Sequence, residues 1–202
     1  MGTKTQKKKT PLNFYRHSEV LQIGKDLLGQ TLFTRFDGKL TGGMIIETES
    51  YMGAEDKACH AYGNRKTQRT RVMFENGGVA YVYLCYGIHH LFNIVTHKAG
   101  IPHAILVRAI SPTHGIETML KRRKKTKLSP SLTNGPGTVT QALGIHTRHS
   151  GVSLISDQIW LEKGLEINPD HILCSPRIGV AYAEEHALLP WRFHLAENSG
   201  IT

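Results

Sequence analysis

The sequence predicts an α+β fold in a single domain, built on a mostly antiparallel β-sheet. Three observations point there. Segments with strand character outnumber those with helical spacing. Their connections carry hairpin signals rather than the long crossovers of a parallel sheet. The 202 residues show no internal repeat and no interior linker long enough to divide them, yet are enough to bury a sizeable core.

The elements follow in order. Residues 1–10 read as a basic, disordered tail and 11–202 as the folded domain. Ser18 is placed to cap a helix whose apolar positions Val20, Leu21, Ile23, Leu27 and Leu28 keep helical spacing, with Gly29 as its stop. Two strands flank Asp37-Gly38, a strong hairpin signal. A second hairpin runs from Val79 to Tyr86, turns at Gly87 and returns over His89 to Thr96. Residues 113–125 read as a helix running into a basic stretch, Ser129–Gly137 as a turn-rich loop, and Thr138–Leu143 as a short helix. Further strands are expected at Val152–Leu154, Trp160–Glu162 and Arg177–Ala183, with a last one near Arg192–Leu195.

Composition bounds the function. At 40% hydrophobic the chain is ordinarily globular, with no run of membrane-span length and no apolar leader segment within Met1 to Thr10. A cytoplasmic protein is expected, nucleoid-associated in a bacterium or nuclear in a eukaryote. Three cysteines, with no C-x-x-C pair, indicate neither a disulfide framework nor a zinc knuckle. Of the 25 Lys and Arg residues, ten lie in two acid-free runs, Lys4 to Lys9 and Lys121 to Lys127. The remaining 15 face 16 Asp and Glu, so the net charge of +9 sits on two appendages. Such runs attract polyanions without reading sequence, or serve only as solvated solubility tags.

The stretch from Ile45 to Arg108 holds the candidate chemistry. In an extended strand Ile45, Glu47, Glu49 and Tyr51 share a face. The two carboxylates read either as an acid/base pair or as solvent-facing edge residues; the adjacent Tyr51 favours a water-excluded base. Tyr81 and Tyr83 share a face of the next hairpin, a stack that also serves a sheet structurally. Tyr86, at the tip, has little to pack against and is shaped to wedge between base steps. Asn93 and Arg108 sit among apolar neighbours and need partners, for Arg108 a carboxylate or a phosphate. Arg65, Lys66, Arg69 and Arg71 form a cationic loop between these segments. His60 stands alone and His89-His90 point to opposite faces, so no metal site is predicted. An acid, aromatic faces and a cationic collar point to chemistry on a nucleobase.

These residues together resemble the alkyladenine DNA glycosylase family, the mammalian-type 3-methyladenine DNA glycosylases. The resemblance runs from about Tyr15 to Leu195. It rests on ETESYMGAEDKACHA (Glu47–Ala61), YVYLCYG (Tyr81–Gly87), Asn93, LVRAISP (Leu106–Pro112), NGPGTVTQALGI (Asn134–Ile145) and SPRIGV (Ser175–Val180). It implies a curved sheet with surrounding helices and a protruding tyrosine hairpin. It also implies a monofunctional base-excision enzyme without cofactor, expected to act as a monomer on double-stranded DNA containing a damaged purine. By the same resemblance Glu49 is the general base that activates water. Tyr51, His60 and Tyr83 sandwich the flipped base, Asn93 disfavours guanine, Tyr86 intercalates, and Arg108 contacts DNA near the lesion together with Arg65, Arg69 and Arg71. Two rival readings remain: a catalytically silent DNA-binding module, for which Glu49 has no use, and a metal-dependent hydrolase, against which the histidine spacing speaks.

Overall fold

The computed structural model of the chain describes residues 8–17 and 19–196. Among them eight strands form one antiparallel sheet. They are β1 (Thr31–Phe36), β2 (Lys39–Tyr51), β3 (Ala80–Cys85), β4 (His89–Thr96), β5 (His103–His114), β6 (Ile159–Glu162), β7 (Ile172–Ser175) and β8 (Arg192–Leu195). The spatial order is β3-β4-β5-β2-β1-β6, with β8 pairing both β2 and β7. Four α-helices flank it among the described residues: α1 (Leu12–Tyr15), α2 (Val20–Asp26), α3 (Ile116–Arg123) and α4 (Pro136–Leu143).

The long strand β2 organises the sheet. On one side it pairs with β5 along most of its length. On the other it pairs with β1 through Met44 and with β8 over Glu47–Glu49. This fork lets the sheet curl. Two of the three register shifts between β2 and β5 accompany it: Ile46 is the extra residue on β2, and Arg108 is the extra residue on β5 opposite Glu47 and Thr48. Bulges of this kind bend a strand and re-aim its side chains.

The β1–β2 hairpin turns as the sequence predicts. Asp37 and Gly38 both have positive φ, 52° and 72°, between the paired Phe36 and Lys39. Strict alternation then divides the sheet's faces. Val82, Phe92, Ile94, Ile105 and Val107 enter the main core with α2 and α4, while Tyr81, Val95 and Ala104 join a smaller cluster with Cys59, Val72 and Met73 on the opposite face. Helix α2 closes on β2 without spacing: a Cβ at Gly24 would lie 2.4 Å from Ser50 Oγ. Thr48 and Ser50 donate to the carbonyls of Gly24 and Val20. These bonds turn Thr48 and Ser50 toward α2 and leave Glu47, Glu49 and Tyr51 on the other face; Ile45, expected on that face with them, enters the main core instead, across the bulge at Ile46.

Several expectations need correction. Lys9 and Thr10, assigned to the tail, are packed: Lys9 pairs with Asp157 at 2.6 Å, and Thr10 bonds Gln30 beside β6. Residues 1–7 and the expected helix cap Ser18 lie outside the described residues. Residues 113–114 belong to β5, so the helix starts only at Ile116, and α4 begins at Pro136 rather than Thr138. Val152–Leu154 forms no strand, only a bridge from Ser153 to Val79. Residues 177–183 form no strand either; they cross the open face of the sheet, where side-chain bonds replace a ladder.

Candidate active site

The face of the sheet opposite the main core carries a pocket of about 600 Å³, within the range of small-ligand sites. Strands β2 to β5 build its floor and wall with Glu49, Tyr51, Tyr81, Tyr83, Leu91, Asn93, Leu106 and Arg108. The loop after β2 adds Cys59 and His60, and the crossing segment adds Ile178 to Val180 and Tyr182. The N-terminus of α4, Gly135 to Thr138, opens onto the same pocket, and a helix start with free N–H groups suits an anion.

Glu49 is fully buried, and both its oxygens are held. Tyr51 donates its hydroxyl to Oε2 at 2.8 Å, and the Ile178 backbone N–H donates to Oε1 at 2.8 Å. The bulged Arg108 lies between the two carboxylates, with Nε 2.9 Å from Glu47 Oε1 and Nη1 3.3 Å from Glu49 Oε1. Arg192 adds a second cation to Glu47 at 2.9 Å. The repulsion expected between Glu47 and Glu49 is thus neutralised inside the protein. A carboxylate with two hydrogen-bond donors and a guanidinium beside it still has acceptor capacity for another, such as a water proton. Burial, and then the Glu49 charge, raise the Tyr51 pKa well above its usual 10, so its hydroxyl remains a donor.

The aromatic walls are equally fixed. His60 Nδ1 is 2.9 Å from Tyr81 Oη, and its ring meets Tyr83 edge-on with centroids 4.5 Å apart. Burial, helped by Arg69 and Arg65, lowers the His60 pKa to about 4, so this wall is neutral at physiological pH. Tyr81 is pushed up to about 12 by burial. Asn93 is buried and spends one amide hydrogen on the Tyr81 carbonyl at 3.2 Å.

At the mouth stands the β3–β4 hairpin. Its turn puts Tyr86 at φ 50° and Gly87 at φ 72°, closed by the Ile88 N–H to the Cys85 carbonyl. Tyr86 is 89% exposed. A bulky residue held in the left-handed region with its ring in solvent is not there for packing. Arg69 lies over the Tyr83 ring at 4.8 Å, beside the pocket, and Arg65 and Arg71 are exposed on the same loop.

The sequence-predicted residues Glu49, Tyr51, His60, Tyr83, Asn93, Tyr86, Arg69 and Arg108 all line this one pocket; Arg65 and Arg71 lie outside it. Arg108 takes the carboxylate alternative left open by the sequence, facing inward rather than presenting a free cation. The sequence reading missed Asp56, Arg177 and Arg192. Arg177 forms a buried two-pronged pair with Asp56, at 2.5 and 2.9 Å. A charge inside an expected strand was the available signal, as it was for Arg108. No group of three or more His, Cys, Asp or Glu is arranged to hold a metal among the described residues. No helix there is long and apolar enough to cross a membrane.

The family model described as methylpurine-DNA glycosylase matches residues 13–199. The chain belongs to that family. It is 50% identical over 186 residues to a Chlamydia felis protein, covering 92% of this chain and 95% of that one. A Bacillus cereus protein is 45% identical over 193 residues, covering 91% and 94%. Both relatives are provisionally named 3-methyladenine DNA glycosylases. As a member of the methylpurine-DNA glycosylase family the chain is a monofunctional DNA glycosylase, a hydrolase of N-glycosyl bonds, and its substrate is DNA.

Proposed function

We propose that the enzyme excises alkylated or deaminated purines, of the 3-methyladenine, hypoxanthine and ethenoadenine class, from duplex DNA. The damaged nucleotide is flipped into the pocket, and Glu49 takes a proton from a water that attacks C1′ of the deoxyribose. The base leaves and an abasic site remains. The observation that carries this reading is the fully buried Glu49 in an aromatic pocket, its two oxygens already oriented by Tyr51, Ile178 and Arg108.

The physical steps fit the groups available. Flipping costs a few kcal/mol, less for damaged or mispaired bases. Tyr86, projecting from the hairpin, fills the vacated stack, and stacking on Tyr51, His60 and Tyr83 returns about 1–3 kcal/mol per base. Cationic alkylated purines gain further from the aromatic faces. The neutral His60 adds no repulsion to such a base. Asn93 crowds a 2-amino group, which disfavours guanine. Arg65, Arg69 and Arg71 collar the backbone phosphates. None of the residues lining the pocket is a lysine, so no amine stands ready for a Schiff base that would nick the strand. The pocket is complete within one chain, in keeping with action as a monomer.

The test is a labelled duplex with one hypoxanthine opposite thymine, incubated in EDTA and then split between hot alkali and neutral buffer. Breaks after alkali alone are expected. Breaks without alkali, or no release from either this duplex or methylated DNA, would overturn the reading.

A further inference from the structure

Glu49 does not hold its own position; its donors are held by a residue pair that the reaction itself does not use. Arg177 and Asp56 are joined by two hydrogen bonds, and both side chains are wholly buried. The Arg177 guanidinium also donates to the carbonyls of Ser50, at 3.0 Å, and His186, at 3.1 Å. It lies between two rings, 4.8 Å from the centroid of Tyr51 and 5.0 Å from that of Trp191. Asp56, for its part, accepts from the backbone N–H groups of Met52, at 3.2 Å, and Ala58, at 3.0 Å.

Each of these contacts leads to the base. Ser50 is the residue between Glu49 and Tyr51. The ring under the guanidinium is the one whose hydroxyl binds Glu49 Oε2. The residue following Arg177 supplies the N–H that binds Glu49 Oε1. On the other side, Asp56 shapes the turn that leads through Ala58 to the His60 wall. One ion pair therefore ties the end of β2, the His60 turn and the crossing segment around a single carboxylate.

We propose that Asp56 and Arg177 are positioning residues for base excision: acting through Tyr51 and Ile178, they fix the Glu49 carboxylate where it can take the water proton. This rests on the proposed role of Glu49. A buried ion pair is a poor way to gain stability, since apolar residues of similar volume serve a core as well or better. What it adds is orientation. The planar fork of arginine sets two carbonyls, a carboxylate and two rings in one geometry, which lysine's single ammonium does not reproduce. A misplacement of about 1 Å at a reacting group costs up to about 100-fold in rate.

The decisive variant replaces both charges by apolar groups, Asp56→Leu with Arg177→Met, and so leaves no unpaired charge in the core. Melting temperature, affinity for a hypoxanthine duplex and single-turnover base release are measured together, with wild type and Glu49→Gln alongside. The double variant is expected to fold and to bind the lesion within about threefold of wild type, yet to release the base about 30-fold more slowly or worse. If it melts below the assay temperature, Arg177→Lys takes its place, and the same split between release and binding is expected. Release within about threefold of wild type would overturn the proposal, as would parallel losses in binding and release, because both mark a purely structural pair. Active Glu49→Gln would instead refute the role of Glu49, whatever the pair does.

Discussion

Arg108 separates an internal role from a DNA-contacting one, and Arg108→Gln tests which applies. In the structure its guanidinium lies between Glu47 and Glu49, with side-chain exposures of 12% for Arg108, 13% for Glu47 and 0% for Glu49. Breaking a buried pair costs about 3–5 kcal/mol because a charge is left behind. Glu47 retains Arg192 at 2.9 Å, so the loss here is expected at about 2–3 kcal/mol. For a chain of this size that lowers the melting temperature by about 5–10 °C. Losing the guanidinium 3.3 Å from Glu49 Oε1 also frees that carboxylate to shift, so single-turnover base release is expected to slow by about tenfold. Adding Glu47→Gln removes the like charge and should recover part of both effects. The assays are thermal unfolding, single-turnover base release and duplex binding across a range of salt. An unchanged melting temperature and release rate, together with a shallower salt dependence of duplex binding, would refute the reasoning, because Arg108 would then be neutralising a phosphate.

Three further outcomes follow from the same geometry. Tyr86→Gly relieves a left-handed backbone that costs about 1 kcal/mol and removes an exposed ring, so stability should hold or rise while release from a fully paired duplex slows. Release from a lesion inside a mismatched bubble, where no wedge is needed, should change little; equal loss on both substrates would contradict the wedge role. Arg69→Gln should lower the salt slope of duplex binding by about one counterion, read from affinities between 50 and 200 mM salt, and an unchanged slope would remove it from the phosphate collar. Burial holds His60, His103 and His149 each at about 4 in the folded chain, against about 6.5 unfolded. The folded chain thus declines protons that the unfolded chain accepts. Stability is full above about pH 6.5 and falls toward pH 4, by at most about 1.4 kcal/mol per pH unit for each group. Melting curves flat across that window would contradict these buried neutral histidines.

How much of this was legible in the sequence depended on whether a feature was local. The Asp37-Gly38 turn, the tyrosine hairpin and the final strand at Arg192 are set by turn chemistry and alternation within a few residues, and all three form where expected. The face shared by Glu47, Glu49 and Tyr51 was legible for the same reason. What was not legible depends on distant partners. Val152–Leu154 has strand composition, but only a single bridge to Val79 accepts it. Residues 177–183 have strand composition too, yet Arg177 finds Asp56 across 121 positions and Ile178 finds Glu49 across 129. The segment is then set by those bonds rather than by a ladder. The bulges at Ile46 and Arg108, which aim Arg108 at the two carboxylates, leave no mark in an apolar run. Even the basic run departs from a solvated stretch at two of its six cations: Arg122 and Arg123 donate to the carbonyls of Ala142 and Leu132, while Lys121, Lys124 and Lys127 are exposed.

The most direct test of the account is single-turnover base release by Glu49→Gln on the hypoxanthine duplex, with affinity for the same duplex measured alongside. Glutamine keeps the shape and the acceptor for Ile178 but cannot take a proton. The account predicts a loss of about 10²- to 10⁴-fold in release with lesion binding retained. Release near the wild-type rate would contradict it, because the water would then be activated by something other than Glu49.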